Sequence, residues 1–313
     1  MTTAQFPKEQ KQGTFARQED AFTNWVSADG SSGFPAATGR YHLYVSLACP
    51  WAHRTVIVRK LKGLEDAIGM TVVDPIRDER GWTFTEGPDT GGDPVNGFRF
   101  LAEAYAATDP SYSGRVTVPA LWDKTTKRVV SNNDDHIMRM FETEFDAFAR
   151  NNDLDLYPEA HRSEIDALNA EIYKSVNNGV YRAGFATEQT AYAAAAEAVF
   201  NELDRLEARL AKSRFLLGTS PVETDWRLFV TLVRFDTVYY SHFKCNLRRI
   251  VDYPNLWGYL RDLYQVPDVA STVNFDHIKR HYYMTHPHIN PTRIVPIGPL
   301  LDLTTPHGRE RMS

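Results

Sequence analysis

Cys49 is the residue whose type and place in the sequence most clearly indicate chemistry. It stands directly before Pro50, where an alternating run from Tyr41 to Leu47 gives way to a helical pattern. Pro50 fits the first helical position, where its missing N–H costs nothing, so Cys49 is predicted to be the N-cap. A thiolate there would face unpaired backbone N–H groups and the positive end of the helix dipole, which lower the pKa of a cysteine. We predict a reactive sulfur; the alternative is a buried, inert cysteine.

Cys49 has no second thiol at the spacing of a dithiol motif, because Ala52 stands where a Cys-x-x-Cys sequence would carry its second cysteine. The other cysteine of the chain is Cys245, and two cysteines supply neither a disulfide framework nor a cysteine-rich metal site. We therefore expect Cys49 to work alone with an external thiol. Cysteine usage of this kind favours a reducing cytoplasm as the location of the protein.

Composition excludes several classes of protein. With 313 residues, 42% of them hydrophobic and 24% charged, the chain can bury a sizeable core in one large or two ordinary domains. A net charge of −5 predicts neither a nucleic-acid partner nor binding to an anionic membrane surface. No apolar run approaches the roughly 20 residues of a membrane span. The first 13 residues lack the apolar core of a signal peptide.

Two further kinds of site are not predicted. His281, His286 and His288 cluster near the carboxyl end, but they lack both the HExxH spacing and acidic partners, so no metal is expected. The sequence contains neither a P-loop nor a GxGxxG motif, so nucleotides are not implied.

The elements that must position Cys49 begin with a strand. Residues 40–47 alternate in a mix of side chains that favours a β-strand, and the helix after Cys49 ends in a basic turn followed by Gly63. The β-branched run from Met70 to Pro75 predicts a second strand. A strand, a helix and a strand form a βαβ unit with a parallel pair, which puts Cys49 at the carboxyl end of a strand, where open α/β sheets bind ligands.

Two later stretches complete the predicted α/β domain. The segment from Arg77 to Gly97 is rich in glycine and proline and predicts an excursion outside the fold, with Trp82 as its large apolar residue. Val116 to Trp122 predicts a strand, and Arg128 to Val130 predicts its antiparallel partner. Pro119 interrupts the first of these strands, so it must lie at an edge, in a bulge or after a cis bond.

Residues 131–135 are turn and capping residues before an apolar stripe, so a helix is predicted to start here. Its N–H groups suit a carboxylate ligand, although simple capping explains the same residues. From about residue 158 onward the pattern is helical throughout. We predict an extended arm over residues 1–39, an α/β domain over 40–150, an all-helical domain over 158–297 and a loose tail over 298–313.

This order of elements resembles the glutathione transferases, in which a thioredoxin-like α/β domain with a thiol at its first strand-to-helix turn precedes an all-helical domain. More narrowly, the chain is similar to the glutathionyl-hydroquinone reductases, the Xi class of that superfamily. The resemblance spans roughly residues 40–300 and rests on separated stretches in the same order. These are CPWAHR at 49–54, Gly81-Trp82, GRVTVPALWD at 114–123, NNGVYRAGFA at 177–186, DWRLF and RFD within 225–236, Tyr239 with HFKCN at 242–246, and HIKRHYY and HINPTRIVPIGP within 277–299.

The resemblance implies roles for individual residues. Cys49 would be the nucleophile, and the hydroquinone site would be lined from the helical domain by Tyr181, Tyr239 and Tyr282. The residues implied to hold glutathione are Trp82, Arg115, Val118, Pro119, Asn133 and Asp134, with Val118 offering backbone hydrogen bonds beside a cis-proline. Family members carry Glu-Ser where this chain has Asn133-Asp134. A different low-molecular-weight thiol is therefore an alternative to glutathione.

The activity that the resemblance implies is reductive cleavage of a thioether on an aromatic ring, with Cys49 taking up the thiol as a mixed disulfide. Tyr181 and Tyr282 would protonate the leaving ring while Tyr239 positions it. Each tyrosine could instead be a core residue, and Arg115 a surface residue.

The implied partners are small quinone or hydroquinone thiol conjugates, and the family implies a homodimer. Two alternatives to the reductase stay open. One is another cysteine-type transferase activity, such as dehydroascorbate reduction or deglutathionylation. The other is a non-catalytic ligand-binding protein.

Overall fold

In the computed structural model, which describes residues 9–11 and 13–312, the chain divides into two units. The α/β unit contains Glu19–Asp155 and Ser271–His281; the helical unit contains the described residues up to Gln18, Leu156–Ala270, and those from Tyr282 onward. Each unit is therefore built from separated parts of the chain rather than from one continuous block. Residues 1–8 and 12 of the predicted arm, and residue 313 of the predicted tail, lie outside the described residues.

The elements follow in chain order. The strands are β1 (Gln10–Lys11), β2 (Thr14–Phe15), β3 (Tyr41–Val45), β4 (Gly69–Val72), β5 (Ala120–Asp123) and β6 (Arg128–Ser131). The helices are α1 (Pro50–Leu61), α2 (Leu101–Thr108), α3 (Asp134–Thr143), α4 (Arg162–Ile172), α5 (Gly179–Gly184), α6 (Gln189–Leu210), α7 (Glu223–Arg234), α8 (Pro254–Tyr264) and α9 (Phe275–Thr285). Two π-helical turns, Tyr173–Asn177 and Phe235–Tyr239, directly follow α4 and α7.

The α/β unit is built on a four-stranded sheet with the strand order β4-β3-β5-β6. Strand β3 runs parallel to β4, which confirms the predicted βαβ start, and antiparallel to β5. All five residues of β3 are buried, so this strand lies in the core of the unit. Strand β5 begins only at Ala120, directly after a cis bond between Val118 and Pro119. The strand predicted from Val116 is therefore shorter than expected, and Pro119 lies before it.

Helix α1 begins where the sequence predicted, with Cys49 as its N-cap and Pro50 as its first residue. Every residue from Pro50 to Arg59 is buried, so the helix is packed on all sides and does not present one amphipathic face to solvent. The chain leaves the helix at Gly63, which has a φ of 67°. A Cβ atom there would lie 2.8 Å from Cβ of Arg150, so this position favours glycine both for its backbone conformation and for space.

Helix α7 lies in the core of the helical unit. All of its residues are buried, and Trp226 is completely so. Charged groups in such a helix require partners. Arg227 pairs with Glu223 at 2.6 Å, and Asn169 of α4 donates to the same carboxylate oxygen at 2.8 Å. These contacts satisfy the charges of Glu223 and Arg227 and join α7 to α4.

The first described residues form a β1-β2 hairpin that belongs to the helical unit. The N–H of Thr187 donates to the carbonyl of Gly13 at 3.1 Å, and Phe15, which is 2% exposed, packs edge-on against Phe185. Gly13 has a φ of 75°, and a Cβ atom there would lie 2.4 Å from Cγ of Glu188. This part of the arm that we predicted to be extended is therefore folded and docked.

The carboxyl-terminal segment, which we predicted to be a loose tail over residues 298–313, is held to the helical unit at two buried residues, Leu303 and Arg309. Arg309 is 3% exposed and donates to the carbonyls of Leu210 and Ser213 at 2.9 and 2.6 Å. Gln265 of α8 donates to the carbonyl of Leu303, a residue that is also buried. The tail carries too few helical signals to be identified as packed from its sequence, because its contacts are made with distant helices.

Among the residues that the structure describes, no helix combines the length and the apolar character needed to cross a membrane.

Candidate active site

The Cys49 thiol lies at the start of α1, at the carboxyl end of the parallel strand β3. Cys49 is half-buried, and its Sγ lies 3.6 Å from the carbonyl oxygen of Val118, to which the thiol donates. The backbone of Cys49 is fixed on both sides, because its N–H donates to Ser46 and its carbonyl accepts from the N–H of His53. The first turn of α1 carries no acidic residue, so no carboxylate of this turn opposes a thiolate.

The same contact places the thiol beside the cis bond between Val118 and Pro119, because the accepting carbonyl belongs to Val118. The chain leading to it is held by Tyr105, whose hydroxyl donates to the carbonyl of Thr117 at 2.9 Å. The structure therefore brings together Cys49, Val118 and Pro119, three residues that are far apart in the sequence. The binding of a peptide thiol by the Val118 backbone stays a prediction.

Trp82 lies in the excursion between β4 and α2 and is 4% exposed. Its ring stacks on His281, with 5.2 Å between centroids, and the guanidinium of Arg77 lies 5.4 Å from its centroid. The imidazole Nδ1 of His281 lies 2.6 Å from the carbonyl oxygen of Pro75. The segment Ser271–His281 thus supports the loop that carries Trp82. The sequence did not identify this role for His281, because it depends on a segment distant along the chain.

The predicted helix start at Asn133-Asp134 is present, and the two side chains have different partners. Asn133 is the N-cap of α3: its Oδ1 accepts from the N–H of His136, and its Nδ2 donates to Asp20, each at 2.8 Å. Asp134 accepts from Arg54, a buried residue, at 2.7 Å. The capping that we considered as the alternative is therefore present for Asn133, and an ion pair holds the Asp134 carboxylate.

Arg115 lies in the segment that leads to the cis bond. It is half-buried, and its carbonyl accepts from the hydroxyl of Tyr112 at 2.6 Å. This hydrogen bond holds the backbone of Arg115, while the choice between a ligand-binding and a surface role for its side chain stays a prediction.

The helical unit brings together the three tyrosines that were predicted as site residues. Tyr181 lies in α5, Tyr239 in the π-helical turn after α7, and Tyr282 in α9. The hydroxyl of Tyr282 is hydrogen-bonded to the hydroxyls of both others, to that of Tyr239 at 3.0 Å. Tyr239 and Tyr282 are completely or almost completely buried, and Tyr181 is 8% exposed. We call these three residues the tyrosine cluster.

Burial decides the charge of the tyrosine cluster. It raises the pKa of Tyr239 and of Tyr282 well above the ordinary value of 10.0, and the neighbouring Tyr181 contributes in the same direction. The guanidinium of Arg234, a completely buried residue of α7, opposes this rise. Neutral phenols of this kind act as hydrogen-bond and proton donors.

Several residues around the tyrosine cluster were not predicted as residues of this site, and His286 was considered only as a member of a histidine cluster. Phe243 stacks on Tyr239, and His286 packs edge-on against Tyr282. His242 lies 3.0 Å from His286 between ring nitrogens, and burial lowers the pKa of His242 to about 3, so it is neutral at physiological pH. Both His242 and Phe243 belong to the HFKCN stretch, which was the available signal. Across residues 9–11 and 13–312, no group of three or more His, Cys, Asp or Glu side chains is placed to hold a metal.

Comparison with known proteins places this geometry in a family. The model of the glutathione S-transferase N-terminal domain matches residues 48–144, and that of the C-terminal domain matches residues 189–262. The chain is 55% identical to the glutathionyl-hydroquinone reductase YqjG of Escherichia coli, over 95% of this chain and 93% of that protein. It is 48% identical to the glutathionyl-hydroquinone reductase PcpF of Sphingobium chlorophenolicum, over 92% and 90%.

Solved structures agree with these relatives. The glutathione-bound structure of YqjG superposes with a TM-score of 0.91, covering 93% of this chain and 96% of that one. A Xi-class glutathione transferase from Natrialba magadii, 51% identical, superposes with a TM-score of 0.93 and coverages of 96% and 93%.

Proposed function

The chain belongs to the Xi class of the glutathione transferases, with the thioredoxin-like and helical parts of that fold, and we propose that it is a glutathionyl-hydroquinone reductase. The observation that carries the proposal is the position of the Cys49 thiol, which lies at the N-cap of α1 beside the Val118 carbonyl and the cis-proline. The chain is 55% and 48% identical to two proteins named glutathionyl-hydroquinone reductase, and this similarity supports the same activity.

The proposed reaction takes place in two steps at Cys49. The thiolate attacks the sulfur of the conjugate, the bond between that sulfur and the ring carbon breaks, and the carbon takes up a proton to give the free hydroquinone. Glutathione remains on the enzyme as a mixed disulfide with Cys49. A second glutathione thiolate then attacks this disulfide, which releases oxidised glutathione and restores the Cys49 thiolate. The ring carbon is reduced by two electrons, and the two glutathione sulfurs, one from the conjugate and one from the free thiol, lose one electron each as they form the disulfide.

The ring carbon is a poor leaving group unless it is protonated as the bond breaks. We propose that Tyr181 and Tyr282 supply this proton and that Tyr239 positions the ring. In support, the three hydroxyls form one hydrogen-bonded set, and burial keeps Tyr239 and Tyr282 protonated. Cleavage of a disulfide would not need this proton, because a thiolate leaves without one.

Glutathione is the thiol that we propose, since a relative that is 55% identical binds it. The residues proposed to hold it are Trp82, Arg115, Val118, Pro119, Asn133 and Asp134. Asp134 and its partner Arg54 would supply a paired carboxylate for the amino group of the ligand.

Titration calorimetry tests the choice of thiol. Micromolar binding of glutathione is expected, and binding only at millimolar concentrations would favour a different low-molecular-weight thiol.

The decisive experiment replaces each cysteine in turn. Cys49→Ala should lower the reductase activity by at least about a thousandfold, because the nucleophile is removed. Intact mass after incubation with a glutathionyl-hydroquinone should show one added glutathione on the wild type and none on this variant. Cys245→Ala is the matched control: burial raises the pKa of Cys245 to about 12, so its loss should change neither result. Near-normal turnover by Cys49→Ala would refute the mechanism.

A substitution in the tyrosine cluster separates the reductase from other cysteine-type activities. Tyr181→Phe should slow cleavage of the hydroquinone conjugate while leaving the reduction of a small glutathione mixed disulfide unchanged, because only the first reaction needs a proton donor. Equal losses on both substrates would favour a structural role for Tyr181. A non-catalytic protein would cleave neither substrate.

We also propose that the protein is a homodimer in the cytoplasm. In the described part of the chain neither Cys49 nor Cys245 forms a disulfide, as expected for a reducing compartment. Ile294, Ile297 and Leu300 expose their apolar side chains on one short segment, Ile297 and Leu300 by more than 90%. Light scattering should give a dimer mass that the double change Ile297→Asp and Leu300→Asp lowers to that of a monomer. Leu247→Asp, at an exposed apolar site outside this segment, is the control.

A further inference from the structure

Arg17 has no role in the steps above, yet it lies against the tyrosine cluster. Its guanidinium carbon is 5.2 Å from the centroid of the Tyr181 ring and 5.6 Å from that of the Phe15 ring. Arg17 follows the β1-β2 hairpin, whereas Tyr181 lies in α5, and both belong to the helical unit. The contact is therefore made by tertiary packing and not by neighbours in the sequence.

The backbone on both sides of Arg17 is held in place. The N–H of Ala16 donates to the carbonyl of Glu9 at 2.6 Å, and the N–H of Gln18 donates to the Glu9 carboxylate at 2.9 Å. Glu9 itself is buried, and Phe15 fixes the hairpin against Phe185. Arg17 thus approaches Tyr181 from a segment whose position is set by several independent contacts.

We propose that Arg17 is a positioning residue of the reductase reaction, whose cation over the Tyr181 ring stabilises the negative charge that forms on the phenol oxygen as Tyr181 gives up its proton. The inference rests on the proposed function. It adds a residue from the amino-terminal segment to a reaction otherwise assigned to Cys49 and the tyrosine cluster.

The electrostatics of the cluster explain why such a cation matters. A buried phenol resists ionisation, as the raised pKa values of Tyr239 and Tyr282 show. A cation over an aromatic face is attracted to the ring, and the attraction grows as the ring gains negative charge. In the part of the chain that the structure describes, the charged and titratable groups that face the cluster include Arg17, Arg234 of α7, the three phenols themselves, and the histidines His242 and His286 beside Tyr282.

Arg17 and Arg234 act on different members of this set. Arg234 lowers the pKa of Tyr239 and Tyr282 against the effect of burial, and Arg17 lies over the ring of Tyr181, the most exposed of the three. The most exposed of the three tyrosines is therefore the one that has a cation over its ring.

The first experiment compares substrates in three variants. Arg17→Gln should lower kcat for a glutathionyl-hydroquinone by about tenfold, which is about 1.4 kcal/mol of transition-state stabilisation, because the cation attracts the Tyr181 ring more strongly once the phenol carries negative charge. Turnover of a small glutathione mixed disulfide should not change, since its thiolate leaving group needs no proton. Arg17→Lys keeps the charge and should retain most of the activity. Arg182→Gln removes the same charge from the neighbouring position of α5 and should behave as the wild type.

The second experiment does not depend on turnover. Protein labelled with 3-fluorotyrosine is titrated by fluorine NMR, and Tyr181→Phe identifies the Tyr181 signal. Arg17→Gln should move the titration midpoint of that signal to higher pH, while Arg182→Gln should leave it in place. If the wild type fails to cleave the conjugate, the proposed function is wrong, and the midpoint still tests the contact. An unchanged midpoint in Arg17→Gln, or equal loss of activity on both substrates, would overturn the proposal.

Discussion

At the scale of the residue, the two cysteines show how position determines the chemistry of a thiol. Cys49 follows the buried strand β3, occupies the N-cap position of α1 and is half-buried beside a carbonyl oxygen. Cys245 is completely buried, and this burial raises its pKa to about 12, so it stays protonated and inert. One residue type therefore serves as the proposed nucleophile at the first place and as an apolar core residue at the second.

Asp225 is the buried carboxylate whose titration should affect stability most directly. Its oxygens accept from the N–H groups of Leu216 and Val222 and from the hydroxyl of Tyr259, all within 2.7–2.9 Å. Burial outweighs these bonds and raises the pKa of Asp225 to about 6 from an ordinary value of 3.8. The folded state thus binds this proton more tightly than the unfolded state, so the contribution is full below about pH 4 and is lost as the pH rises through 6.

We predict that Asp225→Asn removes this pH dependence. Between pH 4 and pH 7, the free energy of unfolding of the wild type should fall by on the order of 2 kcal/mol more than that of the variant. The variant should also be less stable at both pH values, because its amide group cannot accept from two separate backbone donors. Urea unfolding at the two pH values measures both effects. Asp153→Asn, at an exposed position, is the control, and parallel pH profiles for wild type and Asp225→Asn would contradict the prediction.

At the scale of the element, the carboxyl-terminal tail supplies hydrogen-bond donors to the end of the long helix α6. The last carbonyls of a helix have no partners within it, and those of α6 and of the turn after it face Arg309. One guanidinium donates there to the carbonyls of Leu210, Ser213 and Arg214. A residue near the end of the chain therefore serves as the cap of an element about a hundred residues earlier.

We predict that Arg309→Ala destabilises the helical unit. The loss should be about 2 to 3 kcal/mol, because buried carbonyls would lose charged donors and the packed side chain would leave a gap. Thermal unfolding should show a lower midpoint, and amide exchange should become faster in the last turn of α6. Arg311→Ala, which removes the same charge at an exposed position two residues on, should change neither quantity. A midpoint equal to that of the wild type would show that the tail contacts contribute little.

At the scale of the whole molecule, local signals and distant packing account for different parts of the fold. The start of α1 and the parallel β3-β4 pair could be predicted, because period, proline and glycine act over a few residues. The tyrosine roles came from resemblance alone. The docking of Phe15, the His281 stack on Trp82 and the Arg309 cap could not be predicted, since each joins segments that are far apart along the chain.

The α/β unit is another case in which packing joins segments that are far apart along the chain. Its main part ends at Asp155, yet Ser271–His281 belongs to it. Thr272 lies 2.8 Å from the imidazole of His53, Asn274 donates to Asp89 at 2.9 Å, and His281 stacks on Trp82. The segment therefore supports both the first turn after Cys49 and the loop that carries Trp82.

We predict that a fragment of residues 19–155 alone will not reproduce the folded α/β unit. Without the segment, Trp82 would lose its stacking partner and His53 would lose Thr272, so buried polar and aromatic surface would be exposed. The fragment should show faster amide exchange in α1 and in residues 77–97, and red-shifted tryptophan fluorescence. Joining residues 271–281 to it through a flexible Gly/Ser linker should restore protection in both places. If the shorter fragment already shows the protection of the full chain, the segment is dispensable and the two parts of this unit fold independently.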